Sequence, residues 1–249
     1  IHVLPESVKR KIAAGEVVQR PESVIKELIE NSFDADAKQI GIVIKKAGKQ
    51  LIHVVDNGKG MEKEDVLLSI KRHATSKIFQ QEDLENIKSF GFRGEALASI
   101  ASVANLEIRS KVSENDLGWK LISEPMKEPL LEPISMDTGT QVFVKNLFYN
   151  VPARRKFLKS DISEFRYISD TVVRLALSKP EICFTFYDSD TLIFDTPASD
   201  LKERIGNLFG KKISNSLIPV KYGNDDIKLR GYIGEPLIAK QSKSGQFLY

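Results

Sequence analysis

Cysteine is almost missing from this chain of 249 residues: Cys183, in "KPEICFTFYD", stands alone. No internal disulfide can form, which excludes a cross-linked scaffold, and the β-like apolar setting of Cys183 marks a structural thiol. Long apolar runs are missing too. Nothing approaches the roughly 18–20 residues that cross a bilayer, and the opening "IHVLPESVKRK" lacks the continuous apolar stretch of a secretory signal. The expectation is a soluble, non-exported protein of a reducing cytoplasm, with no membrane partner. A dominant charge of one sign is also absent, since 37 Lys and Arg oppose 34 Asp and Glu for a net of +3. That balance permits contact with a polyanion without requiring it. The clusters "KRK" (9–11), "RRK" (154–156) and "KK" (211–212) each read alone as a solvated face. Neither an internal repeat nor a low-complexity tract is present.

What the chain does have is an ordinary globular composition, 41% hydrophobic and 29% charged. At roughly 100–200 residues per domain, its length suits one large domain and a smaller or incomplete second one. Periodicity predicts a short helix over 6–18, then a longer one from Pro21, placed in the first turn, to about Ala35. "IGIVIKK", "AGK" and "QLIHVVDNGKG" read as strand, turn and strand. "MEKEDVLLSIKRHA" is helical by spacing, "TSKIFQQEDLENIKSFGFRG" is a long irregular connection, and "EALASIASV" is a buried helix. Strands follow at "NLEIRSKV", "GWKLIS" and "TQVFVKNL", then a helix from about Ser163 to Ser178 and strands at "CFTFYD" and "TLIFD". The fold class is α/β in the sense of a layered α+β sandwich, with mainly antiparallel connections. "DTPASD" marks a boundary, giving domains at 1–195 and 196–249; the second opens with the helix "LKERIGNLFG" and reads as cut off at "SGQFLY".

Two glycine motifs fail on spacing. "GNLFGKK" has three residues between Gly206 and Gly210 and no Ser or Thr after the lysine, so it is not a Walker A loop. "GKGMEK" has Lys63 where a dinucleotide fingerprint needs its third glycine, and no parallel βαβ unit surrounds it. Three pieces remain: Glu27 and Asn31 four apart on a helix, "DNGKGM" at 56–61, and "GFRGEAL" at 91–97. Singly they read as an exposed helical face, a turn and a loop. Their order and spacing together are far more specific.

With "IAAGEVV", "KELIENSFDADA", "VVDNGKGM", "RHATSKI", "GFRGEALASIASV" and "NLFYNVPARRKFL", the chain resembles the N-terminal ATPase region of the bacterial MutL family of DNA mismatch repair proteins. That family lies in the GHKL superfamily with DNA gyrase, heat-shock chaperones and histidine kinases; the resemblance runs densely through 1–160. It implies a Bergerat-type ATPase domain, a mixed and mainly antiparallel sheet covered by helices, followed by the start of a transducer domain like domain 2 of ribosomal protein S5. It implies ATP and Mg2+ as cofactors, Glu27 as the general base or water-positioning group, and Asn31 as the magnesium ligand through its amide oxygen. Asp56 would accept a hydrogen bond from the adenine amino group, where guanine presents an oxygen. Gly58 and Gly60 would admit the backbone close to the base, Met61 would pack on the ring, and the Thr140 hydroxyl would support the contact directly or through water. Thr75, Ser76, Lys77, Gly91, Phe92, Arg93, Gly94, Glu95, Ala96 and Leu97 would form a phosphate-covering lid, with N–H groups at a helix start and Arg93 facing either phosphate or a lid carboxylate.

The resemblance further implies ATP-driven homodimerisation, weak and mostly non-specific DNA binding, and partners in the mismatch-recognition protein MutS and a downstream repair nuclease or helicase. It places the protein in the bacterial cytoplasm, at the nucleoid. Hydrolysis should be slow, because an ordinary glutamate, ionised near pH 7, is a weak base. A nucleotide-gated interaction module with little hydrolysis, and a gyrase-like topoisomerase subunit, stay open as alternatives. One departure stands out: Asp36 occupies a position where many relatives carry glycine.

Overall fold

The structure, a computed structural model, describes residues 15, 17–75, 90, 91, 94–224, 227–241 and 245–249. Its first helix, α1 (Pro21–Asp34), starts on a proline whose missing N–H costs nothing there and carries Glu22 in its first turn. It stops where Asp36 turns back at φ +59°, a left-handed conformation that glycine adopts without strain and aspartate tolerates. The glycine expected at position 36 is thus explained by the backbone.

Strands β1 (Gln39–Lys45) and β2 (Leu51–Asp56) form the predicted hairpin. After them come α2 (Lys63–Leu68), α3 (Ala96–Val103), β3 (Asn105–Lys111), β4 (Gly118–Ser123), β5 (Leu130–Ile134) and β6 (Gly139–Lys145). Helices α4 (Pro152–Phe157) and α5 (Asp161–Ser178) lead to β7 (Cys183–Asp188) and β8 (Thr191–Thr196). The eight strands make one sheet in the order β5-β4-β3-β6-β2-β1-β7-β8, antiparallel throughout except for the parallel β1–β7 pair.

One face of this sheet is apolar and covered. Ile40, Ile42, Ile44, Ile52, Val54, Leu106, Ile108, Val142, Val144, Phe184 and Phe186 meet Val24, Ile25, Leu28 and Ile29 of α1, Ile100 of α3, and Ile168 and Val172 of α5 in a single core. On the other face His53 stacks on Phe143, ring centroids 3.9 Å apart, beside Glu107, which accepts from Lys145 Nζ at 2.8 Å and Arg109 Nε at 2.7 Å.

The chain continues through α6 (Leu201–Phe209) and α7 (Lys211–Asn215) into a separate two-stranded sheet of β9 (Leu217–Gly223) and β10 (Lys228–Gly234). Helix α6 packs on α5 and β8. Its Arg204, fully buried, donates from Nη1 to Ala176 O at 3.0 Å and from Nη2 to Pro180 O at 2.8 Å, Ile182 O at 2.5 Å and Pro197 O at 2.9 Å.

The structure departs from the sequence reading in several elements. The helix expected over 61–74 is confined to α2, because residues 69–73 turn and His73 adopts φ +60°. Strand β5 was masked by Pro129 and Pro133; as an edge strand it needs donors on one side only. The motif "NVPARRKF" contains α4, announced by Pro152 at its start. The helix expected over 6–18 falls almost wholly outside the described residues.

Candidate active site

The last row on the covered face of the sheet is polar where the alternation calls for apolar residues. Ile52 and Val54 of β2 are followed on that face by Asp56, Val144 and Val142 of β6 by Thr140, and Leu106 and Ile108 of β3 by Ser110. The registers Asp56↔Thr140 and Ser110↔Thr140 set these three side by side.

Asp56 is held from both sides. Its Oδ1 accepts from Gly58 N–H at 2.9 Å, and its Oδ2 accepts from Ser32 Oγ at 2.8 Å. Ser32 Oγ also lies 3.2 Å from Leu28 O, but it has one proton, and the shorter charge-assisted bond is the stronger. Burial pushes the Asp56 carboxyl above its usual range, opposed by the Gly58 N–H, the Ser32 hydroxyl and the Thr140 backbone. The side chain is therefore fixed in direction while retaining acceptor capacity.

The turn after Asp56 is pinned on every side. Asn57 Oδ1 accepts from Lys38 N–H and Gln39 N–H, each at 2.8 Å, and Lys59 N–H donates to Ala35 O at 2.9 Å. A Cβ on Gly58 would stand 2.6 Å from Ala35 O, and one on Gly60, at φ +74°, would run into Lys111 O. Both glycines are thus demanded by neighbouring backbone in the fold itself. Met61, half-buried against the core, donates its N–H to Ser110 Oγ at 2.8 Å.

Glu27 and Asn31 lie half-buried on α1, one turn apart, while Val24, Ile25, Leu28 and Ile29 carry the packing. Ser32 ties the same helix to Asp56, so α1 brings Glu27 and Asn31 into one construction with the end of β2. Asp34 extends it: its carboxylate accepts from Phe90 N–H at 3.1 Å and Gly91 N–H at 3.4 Å, and the Phe90 ring tilts against Phe33 at 5.4 Å.

Further along, His73 N–H donates to Gly94 O at 3.1 Å, and Gly94 sits at φ +61° where a Cβ would strike Ala74 O. Glu95 Oε1 is 3.5 Å from His73 Nδ1. Ala96 then opens α3 without a side-chain cap, and Leu97 packs on the core. Thr75 is half-buried just beyond His73. Ser76, Lys77, Phe92 and Arg93 lie outside the described residues.

Among the described residues no three or more His, Cys, Asp or Glu side chains are grouped to hold a metal ion. The half-buried Asn31 amide oxygen on α1 is a hard donor of the kind that could serve a magnesium ion as a protein ligand.

Ser32, Asp34 and Ser110 escaped the sequence reading, although the last two left a trace. Asp34 is an acid at the C-terminal end of a helix, the unfavourable end of the dipole, with no basic residue in that turn. Ser110 is a hydroxyl at a core-facing strand position.

The family described as histidine kinase-, DNA gyrase B-, and HSP90-like ATPase matches residues 19–136. The DNA mismatch repair protein MutL of Flavobacterium psychrophilum is 49% identical over 249 residues, covering 100% of this chain and 41% of its own length. That of Chlorobaculum tepidum is 47% identical over 246 residues, covering 99% of this chain and 39% of its own. The chain thus spans about two fifths of these relatives. Among solved structures, the Aquifex aeolicus MutL ATPase domain complexed with ADP superposes with a TM-score of 0.70 at 32% identity, covering 88% of this chain and 78% of that one.

Proposed function

The chain belongs to the family of MutL ATPase domains, of GHKL type, and from that premise we propose that it takes ATP with magnesium, hydrolyses it slowly, and uses binding as a switch in DNA mismatch repair. The observation that carries this reading is the carboxylate of Asp56, fixed by Gly58 and Ser32 beneath the helix that bears Glu27 and Asn31. An oriented acceptor at the end of a strand selects the adenine amino group and repels the guanine oxygen, because facing acceptors would both go unsatisfied. Thr140 adds a hydroxyl beside it, and Met61 offers an apolar wall.

Glu27 orients and deprotonates the attacking water. Asn31, one turn on, supplies an oxygen to the magnesium ion, which when bound neutralises charge on the phosphates. The stretch from Thr75 to Leu97, including Ser76, Lys77, Gly91, Phe92, Arg93, Gly94, Glu95 and Ala96, covers the phosphates as a lid; the bonds from Phe90 and Gly91 to Asp34 link it to α1. Closure drives two copies together, and the dimer engages DNA weakly and non-specifically, MutS, and a downstream nuclease or helicase in the cytoplasm. No described helix is long and apolar enough to cross a membrane.

Within "RRK", Arg154 has a structural task. Its Nη1 donates to Val18 O at 2.9 Å and its guanidinium lies over Phe148, leaving exposed Arg155 and Lys156 for DNA phosphates. We assign residues 196–249, with β9 and β10, to a transducer domain.

The test is magnesium-dependent ATP binding and turnover of this chain beside two variants. Glu27→Ala should bind with near-normal affinity and lose hydrolysis; Asp56→Asn should lose binding, by roughly a hundredfold for a buried charged hydrogen bond and the mismatch it leaves. Wild-type turnover in Glu27→Ala refutes the water-positioning role, and wild-type affinity in Asp56→Asn refutes the adenine contact.

A further inference from the structure

Ser110 is fully buried and stands third in the polar row, with no role of its own assigned so far. Three contacts converge on its hydroxyl. Met61 N–H donates to it at 2.8 Å, Gly139 O lies at 3.1 Å, and Thr140 Oγ1 lies at 2.8 Å. A serine hydroxyl has one proton and two lone pairs. The Met61 amide can only donate and the Gly139 carbonyl can only accept, so their roles are set. All three contacts are hydrogen bonds at once only when the Ser110 proton goes to Gly139, one lone pair takes the Met61 N–H, and the second lone pair takes the Thr140 proton.

The polarity of Thr140 follows. With its proton directed at Ser110, its hydroxyl can offer only lone pairs to anything bound beside Asp56. Asp56, ionised, also offers only lone pairs. Two adjacent groups that accept and cannot donate match the two N–H bonds of an exocyclic amino group and mismatch a carbonyl oxygen. We propose that Ser110 is a positioning residue for purine selectivity: it holds Thr140 as an acceptor and, through the Met61 amide, fixes the opposite wall of the same pocket. This rests on the adenine-pocket reading given above.

Without Ser110, the Thr140 hydroxyl is free to rotate and donate to the oxygen of guanine, and selection relaxes.

The experiment measures affinity for magnesium-ATP and magnesium-GTP by calorimetry, with KM and kcat for ATP, in the wild type, Ser110→Ala, Thr140→Ala, the double variant and Asp56→Asn. Ser110→Ala should cut the ATP-to-GTP affinity ratio about tenfold, the worth of one hydrogen bond, with the loss in KM rather than kcat. In the Thr140→Ala background the same substitution should leave the ratio unchanged. A wild-type ratio in Ser110→Ala, or an equal loss in both backgrounds, overturns the proposal while a binding-dead Asp56→Asn keeps the pocket reading standing. Wild-type ATP affinity in Asp56→Asn overturns both. Should Ser110→Ala not fold, Ser110→Cys keeps the shape and weakens every bond of the hub; a thermal melt without nucleotide shows that it folds, and an unchanged ratio in it is equally fatal.

Discussion

Among the described residues, two of the charged side chains drawn out of water, Arg204 and Asp56, are treated in opposite ways. Arg204 is closed off, its terminal nitrogens donating to four backbone carbonyls, and it has no surface left. Asp56 keeps a partly accessible edge and meets fewer donors than its roughly four lone-pair sites can take. A charge whose terminal donors are all turned onto backbone inside the fold is a fastening, and one that keeps an accessible acceptor edge is a receptor. Arg204 joins the end of α5, the approach to β7 and the turn after β8 through one planar group, which only a guanidinium can reach in so many directions. Burial lowers its pKa, yet it starts so high that the charge persists at neutral pH.

Arg204→Met should leave four carbonyls without their donor and destabilise the fold by about 3–5 kcal/mol, read by chemical denaturation. The ATP-to-GTP ratio of the protein that remains folded should not move. A variant that kept its stability and lost nucleotide selectivity would reverse the two roles.

Acid sharpens the Asp56 side. Its folded pKa is raised, so the folded state holds a proton that the unfolded state has already released between the ordinary aspartate value and the raised one. Stability is therefore relieved of the burial cost as pH falls through the raised pKa. Nucleotide affinity moves the other way, because a protonated Asp56 loses acceptor strength. Binding titrations should show ATP affinity falling as pH drops through a midpoint above the usual aspartate range, while denaturation over the same interval shows no matching loss from this group.

The smallest effect belongs to the uncovered face. Burial, then Arg109 and Lys145, lower His53 from 6.5 to about 4 against the pull of Glu107. The unfolded chain then binds this proton first, so stability should be lost as pH falls from about 6.5 toward 4. His53→Phe should flatten that limb of the stability profile without altering nucleotide affinity at neutral pH.

Much of this was legible before any coordinates. The span of α1, the β1–β2 hairpin and the placement of Glu27, Asn31, Asp56 and Thr140 followed from periodicity and from the resemblance that their motifs carry. Ser110 and Arg204 did not. Their roles depend on which strand lies beside which, and the register Ser110↔Thr140 joins positions thirty residues apart that no local pattern links. A usable signal was nevertheless present: Asp56, Thr140 and Ser110 each end an alternating apolar series on a polar residue. The length of α2 was misjudged because spacing continued past the point where His73 takes a left-handed turn.

The parallel β1–β7 ladder has a consequence for synthesis. The β1–β2 hairpin is local and can close in about 1–10 μs, whereas β1 meets β7 only when Gln39 can pair with Cys183. At about 5–20 residues per second, β1 waits on the order of ten seconds on the ribosome with its isoleucine-rich outer edge unmatched. An unmatched edge is a template for other chains. Between the emergence of its first strand and its seventh the chain therefore carries an unpaired strand edge, and slower translation across that interval lengthens the exposure.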